Sequence, residues 1–479
     1  MGDLDRPPLA SAPPALRAAS PLPFADPAQP DAALESFLHR AASQLTAWMG
    51  SSLARSPLPG LSVLPSAVPE AFGLPSEALL ADLQQLMDGA YNPHHPGALA
   101  HLDPPPLAAS IVGDLICAGL NNNLLAEELS PSLSRLERSL CSWLAEAIGL
   151  PAGAGGIPAS GGSLSNLMAL VLARHRAGLA CCGQAVVLCS QDAHVSLAKA
   201  LTVMGLPATA LLTLPTDASG GLAIEALESR LMTLRTQGVP VLAVVATAGT
   251  TVRGAVDPLE PVADLCRRQG IWLHVDGAIG GVYALSDRHR HRVAGLAQAD
   301  SITLNPQKLL GITKTSSLLL LADPAGLEEV FGTGLPYMEP SWGGSHGGEA
   351  GLQGTRPAEI LKLWLGLRQL GLAGIEAVLD GAIERRRHLR QLLASGDRLD
   401  LKDGQLHLLA FCPAGYDAEQ ATHWSAETRQ RLLAEQLMLS RPLYGGRHHL
   451  KAVLGNPHTR AEHLERLAQL VHASLLPQP

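Results

Sequence analysis

The sequence predicts an α/β protein: a large domain built on a mostly parallel sheet, followed by a smaller α+β domain. Three observations carry this. The chain has 479 residues and is 47% hydrophobic but only 3% aromatic, so its core is Leu, Ala and Val, which suits helices packed on a parallel sheet. Short apolar runs at Ala185–Cys189, Val239–Ala246, Ile271–Val275, Ser301–Leu304 and Ser317–Leu321 are separated in several places by helical patterns. Four of those runs end in polar residues, which a parallel sheet gathers along one edge.

In chain order, residues 1–30 are rich in Pro and Ala without periodicity and read as a mobile arm. Helical spacing begins at Asp31, a Pro-rich linker spans Ser56–Pro75, and a second helix starts near Ser76. These pieces are too small for a core of their own, so residues 1–88 are expected to lie against another surface, that of a second subunit. The Asn92–Pro106 stretch is irregular and dense in polar groups, and precedes helices at about 107–122 and 131–148. Pro151–Gly162 reads as a glycine-rich loop that opens a helix at Gly162-Ser163-Leu-Ser165-Asn166. It lacks both the Walker pattern and the dinucleotide fingerprint, yet offers free N–H groups, a positive dipole end and hydroxyls to an anion. A large domain over residues 89–373 and a small one over 374–479 complete the division. The small one carries a long helix (Gly374–Ala394), strands near Gln405–Ala410 and His448–Val453, and a last helix (Arg460–Leu475).

Several classes are disfavoured. Net charge is -8 with no long basic run, which argues against nucleic acid; Arg288–Arg292 reads as an exposed turn. The seven cysteines are scattered and match no metal or disulfide framework, which points to a reduced, cytoplasmic protein. No apolar run approaches membrane-spanning length, no signal-peptide core is visible, and Arg6 stands where a myristoylation signal wants Ser or Thr. His274 and Asp276 share a strand face but have no third metal ligand at suitable spacing, and the Gly-x-Ser-x-Gly elbow of hydrolases is absent.

The four polar strand ends deliver His194, Thr250-Thr251, Asp276-Gly-Ala278 and Asn305-Pro-Gln307-Lys308. Lys308 is one of only six lysines, and alone it would read as a surface cation. Beside an acid, a histidine, hydroxyls and an anion-binding helix start, it fits a phosphate-bearing aldehyde cofactor. The lysine forms a Schiff base, the acid pairs with a protonated pyridine nitrogen, and the helix takes the phosphate.

From about His95 onward the chain resembles the group II pyridoxal-phosphate-dependent amino acid decarboxylases, a branch of the aspartate aminotransferase-like (fold type I) enzymes. The carriers are Ser160-Gly-Gly-Ser-Leu-Ser-Asn166, Thr247-Ala-Gly-Thr-Thr251, Asp257-Pro258, Trp272-Leu-His-Val-Asp276-Gly-Ala278, Asn305-Pro-Gln-Lys308 and Leu361-Lys-Leu-Trp364. Residues 247–309 are most similar to glutamate decarboxylases. Ala100–Pro106 and His449–Pro457 look more like 2,4-diaminobutyrate decarboxylases.

The resemblance implies pyridoxal 5'-phosphate as cofactor, with Lys308 as its covalent anchor, Asp276 on the ring nitrogen and His194 stacked opposite Ala278. Gly162, Ser163, Ser165, Thr251, Asn305 and Gln307 would surround the phosphate. Tyr337 would be the catalytic proton donor, on a segment (Gly332–Gly354) holding eight glycines. In relatives that segment reaches the partner's site, which implies a homodimer. His101 and Lys451 would meet the substrate, an amino acid with either an acidic or a diamino side chain; Asp103 and Glu128 also favour a cation. Two departures stand out: Gln307 replaces the family's usual histidine, and Gly277 a common alanine. An aminotransferase or carbon–sulfur lyase, and a cofactor-free relative, remain the alternative readings.

Overall fold

The computed structural model describes residues 23–60, 63–180, 182–334 and 346–475. They fall into two compact units that divide at Tyr91/Asn92, with Ser56–Leu58 belonging to the second. The first unit is a helix pair, α1 (Ala32–Gly50) and α2 (Ser76–Asp88). Asp31 caps α1 by accepting from the N–H groups of Ala33 and Leu34, each at 2.9 Å. Gln44 and Trp48 tie the helices together by donating to the carbonyls of Leu80 and Met87, both at 2.8 Å.

The second unit opens with α3 (Ala108–Leu120) and α4 (Pro131–Ala147), then alternates. Its next elements are β1 (Gly155–Ala159), α5 (Gly162–Arg176), β2 (Val186–Ser190), α6 (Ser196–Val203), β3 (Leu211–Leu214), α7 (Ile224–Gln237), β4 (Val241–Thr247), α8 (Leu259–Gln269), β5 (Trp272–Gly277), β6 (Ser301–Leu304), β7 (Ser317–Leu321) and α9 (Gly326–Phe331). The sheet order is β1-β7-β6-β5-β4-β2-β3, and only β7 runs against its neighbours. Central strands β2, β4, β5 and β6 are buried on both faces because helices cover both sides, and β2 and β4 are almost wholly apolar.

The five apolar runs all form strands, shifted by at most two residues at an end. Two strands depart from expectation. β1 lies inside what reads as a glycine-rich loop, and it pairs antiparallel with β7. Its glycines are what the pairing needs: a Cβ on Gly156 would stand 2.2 Å from the Leu319 carbonyl oxygen. β3 is a four-residue edge strand too short to stand out by periodicity.

The C-terminal part continues with α10 (Ile360–Leu393), β8 (Leu399–Asp403), β9 (Leu408–Pro413), α11 (Ala418–Ala434), β10 (Leu443–Tyr444), β11 (Arg447–His448), β12 (Leu450–Val453) and α12 (Ala461–Ala473). Non-helical Gly371 (φ 60, ψ 177) divides α10 into two helical segments, and the second agrees with the helix expected over Gly374–Ala394. Strands β12-β9-β8 form an antiparallel sheet with its own core, including Leu389, Phe411, Trp424, Leu450 and Leu467. This layer belongs to the same compact unit as the large sheet. The polar Asn92–Leu99 stretch is stitched to it. Asn456 donates to the carbonyls of Pro93 and His95, Met438 N–H to Gly97, and Val453 N–H to Leu99. Ordering that stretch is thereby offset by backbone bonds. Among the described residues no helix is long and apolar enough to cross a membrane.

Candidate active site

The carboxyl ends of β2, β4, β5 and β6 and the start of α5 enclose a cavity of about 230 Å³. Its lining holds Gly162, Ser163, His194, Thr251, Asp276, Ala278, Asn305, Gln307 and Lys308, so the four polar strand ends do meet. Asp192, Thr250 and Asn166 line it as well.

Asp276 closes β5 and is 7% exposed. Asn166, one helical turn beyond Gly162, donates from Nδ2 to Asp276 Oδ2 and to Ser196 Oγ, both at 2.9 Å. The Ala278 N–H donates to Asp276 Oδ1 at 3.2 Å. Asn166 Oδ1 in turn accepts from Thr303 Oγ1 at 2.6 Å and faces His274 Nε2 at 3.1 Å. Since that oxygen only accepts, His274 carries its proton on Nε2, and Nδ1 accepts from Ser301 Oγ at 2.9 Å. Trp272 Nε1 donates to the same Ser301 oxygen at 2.9 Å. Burial pushes the His274 imidazolium down to about 4, so this ring is a neutral relay that holds Asn166 in place.

Lys308 follows β6 on a single 3₁₀ turn, its N–H bonded to the Asn305 carbonyl at 3.1 Å. Burial holds its ammonium below the usual lysine range, opposed by Asp276 and Asp103. A lysine with a weakened hold on its proton is a better amine nucleophile. His194 stands at the cavity mouth. The Ser196 N–H donates to its Nδ1 at 3.2 Å, which leaves the proton on Nε2. Burial lowers its basicity, partly restored by Asp276.

The anion end is equally defined. Gly161 (φ 118) leads into α5 with no side-chain cap, so the first N–H groups of the helix are left for a ligand. Asn305 Oδ1 is buried without a partner, and a Cβ on Gly162 would crowd Asn305 Nδ2 at 3.0 Å. Gln307 Oε1 accepts from the Ser316 N–H, which turns the amide's NH₂ into the group available as a donor. Ser165 differs: it is fully buried, away from the cavity lining, and its Oγ has no partner. Gly277 has a local reason, since a Cβ there would lie 2.9 Å from the Thr303 carbonyl oxygen on β6.

These groups fit pyridoxal phosphate. An uncapped helix start, the Gln307 amide NH₂ and a cradle without Cβ atoms suit a phosphate, and a buried acid faces a lysine across the same space.

The expected substrate contacts lie outside the lining. Lys451, on β12, donates to the Thr251 carbonyl at 3.1 Å, and burial, with Lys308 nearby, pushes its ammonium down to about 8. His101 is largely exposed, yet partial desolvation of its ring lowers its basicity, opposed by Asp103 and reinforced by Lys451. Asp103 is paired with Lys314 at 2.5 Å, and Glu128 is exposed. Tyr337 and Trp342 lie outside the described residues. Asp192 and the Asn166 relay were missed by sequence reasoning. Asn166 had a legible signal, its place one turn after Gly162 on the same helix face.

Comparison with known proteins agrees with this geometry. Residues 60–412 match the family model described as pyridoxal-dependent decarboxylase conserved domain. An L-2,4-diaminobutyrate decarboxylase of Rhizobium meliloti is 32% identical over 384 residues, 79% of this chain and 77% of that protein. One from Acinetobacter baumannii is 28% identical over 426 residues, 82% of each. The crystal structure of Oryza sativa TDC with PLP and tryptamine superimposes with a TM-score of 0.87 at 24% identity, covering 94% of this chain and 99% of that one.

Proposed function

From the chain's membership of the pyridoxal-dependent decarboxylase family, shown by a match over residues 60–412, we propose a substrate and a role for each residue of the cavity. The enzyme is a pyridoxal-phosphate-dependent carboxy-lyase that converts an L-amino acid to its amine and carbon dioxide. The observation that carries the reading is the placement of Lys308 and the Asn166-held Asp276 on one cavity with an uncapped helix start.

When bound, pyridoxal phosphate supplies an electron sink for the electrons of the breaking Cα–carboxylate bond. Lys308 would hold the cofactor covalently and Asp276 would keep a proton on its ring nitrogen, with His194 and Ala278 beside the ring. Gly162, Ser163, Thr251, Asn305 and Gln307 would hold the phosphate, with Ser165 supporting the helix start. Lys451 draws the substrate carboxylate toward the protein, with His101 beside it. Tyr337 returns a proton to the substrate's α-carbon.

The substrate is a short diamino acid. Asp276 is committed to Asn166 and Ala278, whereas Asp192 presents a half-buried carboxyl to the cavity, held by the Tyr444 hydroxyl at 2.8 Å. That carboxyl suits a side-chain ammonium. The diaminobutyrate decarboxylases among the relatives support this. The second reading, an acidic substrate, is favoured by Lys451. Assaying carbon dioxide and amine from L-2,4-diaminobutyrate, glutamate, aspartate and an aromatic amino acid separates them. Preference for glutamate or aspartate replaces the diamino reading; release of carbon dioxide from none of the four sinks both.

The working form is a homodimer in the cytoplasm, with Gly332–Gly354 serving the partner's site and residues 1–88 packing on the partner. An exposed apolar stripe on α3 supports this: Val112, Leu115, Ile116 and Leu120 are each about half exposed. The six described cysteines are free thiols, as a reducing compartment allows. Residues from about 374 act as the small domain. A monomer by light scattering would sink the dimer.

A further inference from the structure

The C-terminal layer reaches the cofactor cavity through a two-residue hairpin. Strands β10 and β11 pair Leu443 with His448 and Tyr444 with Arg447, and Gly445-Gly446 makes the turn. Both glycines have positive φ (55 and 77), the combination that the tightest hairpin turns require. The arm is braced on two sides. Arg447 donates to the Tyr416 carbonyl at 3.1 Å and to Asp400 Oδ2 at 2.6 Å. The His449 and Tyr444 rings meet edge-on, 5.9 Å between centroids. Tyr444 is thereby held in one direction.

That direction is toward Asp192. The Tyr444 hydroxyl donates to Asp192 Oδ2 at 2.8 Å. The Arg253 guanidinium lies close enough for its charge to act on both groups, and is itself fixed on the Asp403 carbonyl at 3.2 and 3.1 Å. A carboxyl that loses water to burial favours its neutral form; a hydroxyl donor and a guanidinium oppose that. The turn carrying Asp192 is pinned as well, with the Gln191 N–H on the Leu214 carbonyl at 2.8 Å. Asp192 lines the cavity and is half-buried, and its Oδ1 is neither hydrogen-bonded among the described residues nor sealed from solvent. That oxygen is open to a ligand. The other acid of the cavity, Asp276, is engaged by Asn166.

We propose that Tyr444 is a specificity-determining positioning residue: from the hairpin it aims the Asp192 carboxylate into the cavity, where Oδ1 accepts the side-chain ammonium of a diamino acid. The inference rests on the diamino reading of the substrate. It adds that the discrimination is built from the C-terminal layer, not from the large sheet alone.

The test compares L-2,4-diaminobutyrate with L-norvaline, which carries a methyl where the diamino acid carries its ammonium. KM for the first and the inhibition constant of the second are measured on holoenzyme, wild type and variants. Tyr444→Phe keeps the ring and loses only the hydroxyl. KM for diaminobutyrate should rise about tenfold, the loss of one hydrogen bond to a charged group, with the norvaline constant unmoved. The loss should fall on KM rather than on kcat. A KM equal to wild type, or equal weakening of both ligands as general damage would give, overturns the proposal. Asp192→Asn keeps the shape and loses the charge, so KM should rise at least as far. It keeps the test valid if Tyr444→Phe fails to fold, and an unchanged KM there also overturns the proposal. Failure of the substrate reading looks different: wild type itself then leaves diaminobutyrate intact or holds norvaline equally well, and both ideas fall together.

Discussion

Asn166 Nδ2 lies 2.9 Å from Asp276 Oδ2, and this contact fixes the orientation of the only acid at the end of β5. Asn166 Oδ1 accepts from Thr303 Oγ1 and His274 Nε2, and Nδ2 also donates to Ser196 Oγ. Such a fully satisfied buried network costs little to keep and much to break.

Replacing Asn166 with Ala should therefore orphan several buried groups at once. We expect a loss of stability on the order of 3 kcal/mol, from about 1–3 kcal/mol per orphaned group with partial relaxation. Cofactor affinity should fall alongside, because Asp276 loses its orientation. Equal cofactor affinity in fluorescence titration of Asn166→Ala and wild type would remove Asn166 from the site.

Lys308→Ala should abolish covalent retention of the cofactor. Borohydride reduction of the native holoenzyme should leave a pyridoxyl group on the peptide containing residue 308, and on none in the variant. Labelling of a peptide around Lys314 or Lys451 instead would reassign the anchor.

Lys451 makes a pH prediction with a definite sign. Its folded pKa of about 8 lies below the ordinary 10.5. Between those values the unfolded chain binds more protons, so this group's contribution to stability rises with pH. Below about 8 the buried ammonium carries its full cost. Lys451→Met should stabilise the protein near pH 7 by about 1–3 kcal/mol, after allowance for screening. That gain should shrink as pH climbs toward 10.5. Chemical denaturation at pH 7 and pH 10 measures it, and a variant less stable at pH 7 contradicts the assignment. Substrate affinity, if Lys451 draws the carboxylate, should weaken as pH rises through about 8.

Gly156→Ala tests the pairing of β1 with β7. The added methyl meets the Leu319 carbonyl oxygen at 2.2 Å, so the strands must part. A destabilisation of about 1–3 kcal/mol is expected, as for overpacked cores. Turnover per bound cofactor should be unchanged, since the contact lies at the sheet's far edge. An unaltered melting temperature would mean that β1 is not held in this register.

Gln307→Ala removes both a partner of the Ser316 N–H and a donor to the phosphate end. Cofactor dissociation should speed by about tenfold, the effect of one hydrogen bond to a charged group. Gln307→His should retain the cofactor better than Gln307→Ala. Indistinguishable dissociation rates for all three proteins would exclude Gln307 from phosphate binding.

By itself the sequence determined the α/β class, the five apolar strands and the polar residues at their ends, because burial on both faces makes a parallel strand a continuous apolar run. Lys308, Asp276, His194 and Asn305 were legible for that reason: each lies within five residues of the end of such a run. Tertiary structure alone decided the rest. β1 is hidden by the glycines and proline that its close approach to β7 requires. The helical segment of α10 before Gly371 escaped the sequence reading, whereas the segment after it was legible, because non-helical Gly371 separates the two. Asn166 acquires its role only when α5 packs over β5 and β6, since its partners lie more than a hundred residues away along the chain. The same holds for Asp192, which reaches the cavity and Tyr444 through contacts that no local spacing encodes. Local periodicity reports which face of an element is buried; only packing fixes which side chains that burial brings together.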